Sequence, residues 1–189
     1  MIWELPTRLR VAGKDRRIRT DYRDILRILC AFEDPDLNDG EKVLVCLMVL
    51  YEDFEALSKD DYEEALERAK EFIDHGSSDS NAPANTVRTM DWEQDASLIF
   101  PAVNAVAGME VRSAPYIHWW TFLGYFMSID RKSTCATVLG LRSKKARNKK
   151  LEKWERDFWT ANQGICKLRK KLSEEEKAER ERLNAILNQ

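Results

Sequence analysis

A run of fourteen mostly apolar residues, YIHWWTFLGYFMSI at positions 116–129, most constrains what this chain can fold into. A membrane-spanning helix needs about 20 apolar residues. This run is shorter, and charged residues follow it directly from position 130. We therefore expect a helix buried in a protein core. Because Trp and Tyr are favoured anchors in interfaces, part of the run also suits a surface that becomes buried on assembly. Its aromatic residues are Tyr116, Trp119, Trp120, Phe122, Tyr125 and Phe126.

The scarcity of chain-breaking residues predicts a mainly helical protein. The 189 residues include seven glycines and five prolines, and 34% are charged, above the usual ~25%. Residues 3–19 are the exception, because their alternating apolar residues flank a turn near 13–15 and predict a β-hairpin with Leu9, Val11 and Ile18 on its buried face. Two strands alone are marginal, so the hairpin must lie on helices or pair with another chain. We predict a helical bundle with a small N-terminal β-hairpin and a long C-terminal amphipathic helix.

Helix starts are marked by polar residues that can cap the first turn. DYRDILRILCAF, EKVLVCLMVLYEDF and the segment from Tyr62 to Ile73 each have apolar residues at helical spacing. A fourth helix is expected over 92–107, bent at Pro101 and ended by Gly108. The start signals of the first three are Thr20 or Asp21, Asn38 with Glu41, and Ser58 with Asp61.

Composition divides the chain into one domain plus an appendage. Residues 75–90 are predicted to be a flexible linker, because HGSSDSNAPANT is small, polar and interrupted by proline. The linker separates 1–74, a β-hairpin with helices, from 91–172, an aromatic-rich helical part, and 173–189 forms a polar C-terminal helix.

Apolar residues at spacings of three and four form a heptad pattern that suits packing on the domain itself, on a helical partner or on a second copy. They are Leu151, Trp154, Phe158, Ala161, Ile165, Leu168 and Leu172.

The net charge of −2 conceals a strong segregation of charge along the chain. Residues 33–67 contain thirteen acidic and two basic residues, whereas residues 131–171 contain fourteen basic and three acidic ones. These faces are either solvated helix surfaces that attract one another, within a chain or between copies, or binding sites for charged partners. The densest basic cluster is a candidate patch for nucleic acid or an acidic partner, although no aromatic residue is interleaved with it. It comprises Arg142, Lys144, Lys145, Arg147, Lys149 and Lys150.

Catalytic and metal-binding patterns are missing from the sequence. The two histidines, His75 and His118, lie in the predicted linker and in the aromatic run, and for His118 we expect a structural role or a contact at a helix end. The four cysteines show no metal-ligand spacing, and we expect buried free thiols in a reducing compartment. Neither phosphate-binding glycine motif occurs. DPDLNDGEKVLV at 34–45 resembles a calcium loop, but it lacks the required glycine and the terminal glutamate. We expect no enzyme, no cofactor and no metal.

Three blocks of sequence carry a resemblance to a known family. IHWWTFLGYFMSI is the most specific, and DYRDILRIL and EKVLVCLMVLYEDF precede it. Together they resemble the bacteriophage gene-product-fifteen family, over roughly residues 2–168. This is a family of tail-cluster proteins of long-tailed phages and prophages of Gram-positive bacteria. The resemblance implies a role in tail morphogenesis, in the cytoplasm of the host bacterium, and it brings no catalytic residues.

The position of the family's genes, beside the tape-measure gene, implies a tail assembly chaperone that binds the tape-measure protein or other tail proteins. Two alternatives remain open: a structural component of the mature tail, and a nucleic-acid-binding accessory protein that uses residues 142–153. Self-association is a further expectation, and binding to a membrane is not expected. Aromatic residues supply the candidates for a partner-binding groove or for the core, and the sequence does not divide them between these roles. They are Trp119, Trp120, Phe122, Phe126, Trp154, Phe158 and Trp159.

Overall fold

The structure, a computed structural model, describes residues 4–75 and 87–187, with side chains as far as residue 182. It begins with the predicted antiparallel hairpin, formed by strands β1 (Arg8–Val11) and β2 (Lys14–Arg17). The turn lies at Ala12 and Gly13, slightly earlier than predicted. Both turn residues have positive φ, 49° and 73°. A two-residue hairpin turn needs such angles if it is to follow the twist of the strands.

The hairpin packs on the helices, which satisfies the need for a covering element. Val11 and Ile18 are buried as predicted, and Leu9 packs against the same core. Arg16 lies two residues before Ile18 and so on the same face of the strand; it is buried and forms an ion pair with Asp53 at 2.6 Å. Its guanidinium also donates to a carbonyl oxygen of a short 3-10 turn at 54–56. A buried cation therefore fixes the hairpin on the helical part.

Most of the remaining described chain is helical, which confirms the predicted mainly α class. Short 3-10 turns at 54–56, 59–61 and 111–113 join some of the helices. The helices are α1 (Tyr22–Phe32), α2 (Asp39–Leu50), α3 (Tyr62–Ile73), α4 (Ala96–Ala107), α5 (Trp119–Met127), α6 (Thr134–Ala146), α7 (Lys153–Ala161), α8 (Gln163–Cys166) and α9 (Glu174–Leu187).

Capping chemistry sets several of these ends where the sequence predicts them. The side chain of Asp21 accepts from the first turn of α1. Asn38 and Glu41 form a reciprocal capping box at the start of α2. Gly108 ends α4 in the left-handed conformation, with φ 68°, which costs glycine little because it has no Cβ. Ser58 caps a 3-10 turn rather than α3 itself, so α3 starts later than its capping signal suggests.

The heptad spacing in the C-terminal part does not lie on one continuous helix. Helix α7 ends at Ala161, α8 is a single turn, and residues 167–173 are irregular before α9 begins. Side chains from other elements bind the backbone at the breaks. Arg142 donates to the carbonyl oxygens of Ile165 and Cys166, and Gln94 bonds the backbone at residues 167 and 169. In a continuous helix these backbone groups would bond to one another. At the breaks, the side chains of Arg142 and Gln94 satisfy them instead.

The aromatic run forms the core helix α5. Phe122 on α5 stacks on Tyr22 of α1, with ring centroids 4.3 Å apart, and Phe100 of α4 contacts both rings. Residues Asp21 and His118 also form an isolated antiparallel β-bridge. The segments before and after the predicted linker therefore contribute to one core. Residues 76–86 of that linker lie outside the described residues.

Candidate functional site

Two of the candidate aromatic residues belong to the core. Trp119 is 2% exposed and Phe122 is fully buried. The indole N–H of Trp119 donates to the carbonyl oxygen of Ile73 at 2.8 Å, and that of Trp120 donates to Phe72 at the same distance. Both tryptophans thus donate to the last carbonyls of α3, where the i+4 bonds of the helix end; the carbonyl oxygen of Phe72 also accepts the amide N–H of His75 at 3.2 Å. Their first role is to join α5 to α3.

The other candidates lie nearer the surface. Phe126 is partly buried and packs against Trp92, with ring centroids 5.1 Å apart. Trp154 on α7 is 55% exposed, and its indole N–H donates to Glu152. Phe158 and Trp159 are partly buried. The aromatic residues that the sequence groups together are therefore divided between the core and separate surfaces.

His118 is the N-terminal cap of α5. Its Nδ1 accepts the amide N–H of Trp120 at 3.1 Å, and its Nε2 lies 2.9 Å from the carbonyl oxygen of Pro6. Nε2 must donate in this arrangement, so the imidazole is neutral. Burial lowers the pKa of His118, which favours the same neutral form, and the bond to Pro6 opposes this in part. The predicted contact at a helix end is confirmed.

An open apolar groove lies between α1 and α4. It encloses about 450 Å³, and its apolar lining comprises Tyr22, Leu26, Trp92, Ala96 and Phe100. The other lining residues are Arg23, Arg27, Cys30, Glu93 and Arg112. Together these residues form what we call the apolar groove. Sequence reasoning missed it because its two walls are about seventy residues apart in the chain and meet only through tertiary packing. Within α1, Leu26 is partly exposed, whereas its neighbour Ile25 is buried. This partly exposed leucine is the local feature that marks the groove side of α1.

Arginines rim the apolar groove, and their charge is already compensated. Arg23 lies over the ring of Tyr22 and forms an ion pair with Asp21 at 2.9 Å. Arg112 lies over the ring of Phe100 and forms an ion pair with Glu110 at 2.7 Å. The other charged lining residues are also paired, Arg27 with Asp24 at 2.7 Å and Glu93 with Lys171 at 3.0 Å. Each charged residue of the rim therefore has a partner of opposite charge.

Arg142 does not belong to the basic patch in which the sequence places it. Its side chain is buried and forms a two-pronged ion pair with Asp95, at 2.6 and 2.8 Å. Its remaining N–H groups donate to the carbonyl oxygens of Thr89, Ile165 and Cys166. A guanidinium has five donors in a fixed fork, and here they join α4, α6 and the C-terminal segment.

Lys145, Lys149 and Lys150 of the basic cluster line a second groove, where α6 meets α7, whereas Lys144 and Arg147 lie outside this lining. Lys144 is paired with Glu155, whereas Lys145 lies over the ring of Trp159, with its ammonium 4.2 Å from the ring centroid. The folded chain therefore supplies the aromatic neighbour that the local sequence lacks. The second groove encloses about 480 Å³. We call it the basic groove, and its lining comprises Lys145, Asn148, Lys149, Lys150, Leu151, Arg156, Trp159 and Thr160.

The part of the chain that the structure describes shows little sign of a reactive cysteine or of a metal-binding site. Cys46, Cys135 and Cys166 are buried free thiols as predicted, and Cys30 is partly buried. Burial raises the pKa of all four, that of Cys46 to about 12, which disfavours the reactive thiolate. No group of three or more His, Cys, Asp or Glu residues in the described ranges is arranged to hold a metal ion. In those ranges, no helix combines the length and hydropathy that spanning a membrane requires.

Comparison with known proteins identifies the family. No curated protein and no solved structure matches the chain. The family model described as Bacteriophage Gp15 protein matches residues 1–168. This match covers the hairpin, both grooves and the core, and it stops before α9. The chain therefore belongs to the bacteriophage Gp15 protein family.

Proposed function

We propose that this protein is a non-enzymatic tail assembly chaperone that binds a helical segment of the tape-measure protein in the host cytoplasm. Membership of the phage Gp15 family supports a structural or morphogenetic role. The apolar groove between α1 and α4 is the observation that supports a binding role most directly. A chaperone of this kind acts by stoichiometric binding, so it needs a recognition surface and no catalytic centre.

The shape and chemistry of the apolar groove favour a helix as its occupant. Two helices form its walls, and such a channel accepts the apolar stripe of a third helix at positions i, i+3, i+4 and i+7. Trp92 and Phe100 supply large aromatic surfaces, which commonly dominate binding energy. Arg23 and Arg112 are neutralised by their own carboxylate partners, so the occupant needs no strong charge. A long helical tape measure offers many such stripes.

A charge placed inside the apolar groove tests this proposal. Ala96 lines the groove, and Ala105 is exposed on the same helix outside it. Ala96→Glu should weaken copurification with the tape-measure protein encoded by the neighbouring gene by about tenfold or more, because a buried carboxylate would have no partner. Ala105→Glu is the matched control and should leave binding within about twofold. Circular dichroism would check that both variants fold.

The outcomes separate this proposal from its alternatives. Failure of the wild-type protein to bind the tape measure, or an equal loss in both variants, would contradict the proposal. Mass spectrometry of purified virions addresses the mature tail. Abundant copies in finished particles would favour a structural component, whereas their absence supports a chaperone that leaves after assembly.

A further inference from the structure

The basic groove is created by a reversal of the chain between α6 and α7. Asn148 has a φ of 53°, in the left-handed region that asparagine tolerates, and the amide of Lys149 donates back to the carbonyl oxygen of Lys144 at 2.8 Å. This turn places Lys149 and Lys150 beside Arg156 on α7. Basic residues from the end of one helix and the start of the next therefore face a common space.

The positive charge of the basic groove is left without compensation from its own lining. No acidic residue is among the residues that line it. Two carboxylates of the neighbouring turn have other partners: Glu155 binds Lys144 and the amide of Glu152, and Glu152 accepts the indole N–H of Trp154. Lys144 and these backbone bonds lower the pKa of Glu155, so that it stays ionised in this role. Among the lining cations, Arg156 donates to the carbonyl oxygen of Leu151 at 2.7 Å and Lys145 lies over Trp159, so neither is neutralised by a carboxylate in these contacts. Lys149 and Lys150 add two further positive charges to the same lining.

The floor of the basic groove is partly apolar. Leu151 and Trp159 line it, and Trp159 is partly buried. Single-stranded nucleic acid is normally held by bases stacked on open aromatic faces. Here the ammonium of Lys145 lies over the indole of Trp159, at 4.2 Å from the ring centroid, so that face is occupied.

We propose that the basic groove binds a short acidic segment of a protein partner, in which Asp or Glu side chains flank an apolar side chain. The carboxylates pair with the lining lysines and with Arg156, while the apolar side chain contacts Leu151. Because this assignment rests on the proposed function, the partner is the tape-measure protein. The two grooves then recognise different features of it, one an apolar helical stripe and the other a cluster of negative charge.

A charge-reversal pair with a matched control tests the assignment. Lys149→Glu/Lys150→Glu reverses two lining charges, and Arg147→Glu/Lys153→Glu reverses two exposed charges outside the lining. The probes are a synthetic peptide with glutamates and leucines at helical spacing, the same peptide with glutamines, and single-stranded oligothymidylate. Fluorescence anisotropy at low and physiological salt measures each dissociation constant.

The acidic peptide should bind more tightly than the other two probes, and its affinity should fall as salt rises. The groove variant should weaken this binding by about tenfold or more, and the control variant by about twofold at most. No binding of the acidic peptide at low salt, or equal losses in both variants, would overturn the proposal. Tighter binding of oligothymidylate, lost in the groove variant, would replace it with a nucleic-acid site.

Copurification with the full-length tape-measure protein separates this assignment from the proposed function. If the wild-type protein binds the tape measure and the groove variant binds it equally well, the acidic-segment assignment fails while the chaperone proposal stands. If the wild-type protein does not bind the tape measure, the chaperone proposal fails, and with it the identification of the partner. The peptide measurements then decide the groove's chemistry independently.

Discussion

Replacing Asp95 by asparagine tests whether the buried ion pair with Arg142 holds the C-terminal half of the molecule together. The two side chains are 1% and 4% exposed, and their two N···O contacts are 2.6 and 2.8 Å long. Asp95 also accepts the amide N–H of Asp91 at 3.0 Å. Asparagine has nearly the same shape but no charge. It would leave the guanidinium of Arg142 buried beside a neutral amide.

The expected loss of stability is large because the remaining charge is out of reach of water. Removing one partner of a buried pair costs about 3–5 kcal/mol. Each kcal/mol shifts the melting temperature of a chain of this size by about 2–4 °C, so Asp95→Asn should lower it by about 6–20 °C. Exposed pairs contribute much less, about 0–1 kcal/mol.

Urea and thermal denaturation, followed by circular dichroism at neutral pH, measure this difference. Glu71→Gln is the matched control, because it also removes a carboxylate from an Arg–carboxylate pair. Its partner is Arg68 at 2.8 Å, and both side chains are more than two-fifths exposed. The control should change the free energy of unfolding by less than about 1 kcal/mol. Equal effects of the two substitutions, or a loss below about 1 kcal/mol for Asp95→Asn, would refute the reasoning.

Two further predictions concern α5, α4 and α6. The pKa of His118 is lowered below its usual 6.5 by burial, so the unfolded chain takes up the proton first. The stability contributed by His118 is complete above about pH 6.5 and is lost as pH falls towards the native pKa. His118→Asn keeps a side-chain oxygen that can cap α5 but removes the imidazole that titrates. The difference in urea midpoint between variant and wild type should therefore shrink as the pH falls. A difference that stays constant with pH would contradict this. Gly108→Ala should destabilise by about 1 kcal/mol because of the positive φ, whereas Gly140→Ala, inside α6 with open space around an added Cβ, should stabilise by about 0.5–1 kcal/mol. Thermal denaturation of both variants checks this, and changes of the same sign would contradict it.

The elements of this fold were largely predictable because their signals are local. The Asn38–Glu41 capping box and the left-handed Gly108 act over a few residues, and the structure confirms both. The hairpin was predictable in the same way, although its turn lies at Ala12 and Gly13. The aromatic run at 116–129 predicted a core helix, and its residues Trp119–Met127 form α5, which buries Trp119 and Phe122, although Tyr116 and Met127 are exposed.

The breaks in the C-terminal part were not predictable from local spacing. The heptad pattern over 151–172 fits one amphipathic helix when it is considered alone. In the fold, Arg142 and Gln94 bind the backbone between α7 and α9, and these distant donors and acceptors compete with continuation of the helix. Arg142 was also misplaced, because a sequence shows its basic neighbours but not the buried carboxylate of Asp95.

By itself, the sequence determined the helical class, the N-terminal hairpin, the aromatic core helix and the family, since each follows from periodicity, capping or a distinctive block of residues. The tertiary structure alone decided which side chains line the two grooves. The apolar groove requires Leu26 and Phe100 to meet across two helices, and the basic groove requires Lys145 to meet Trp159. Burial and charge compensation depend on contacts between residues far apart in the chain, and these contacts exist only once the chain has folded.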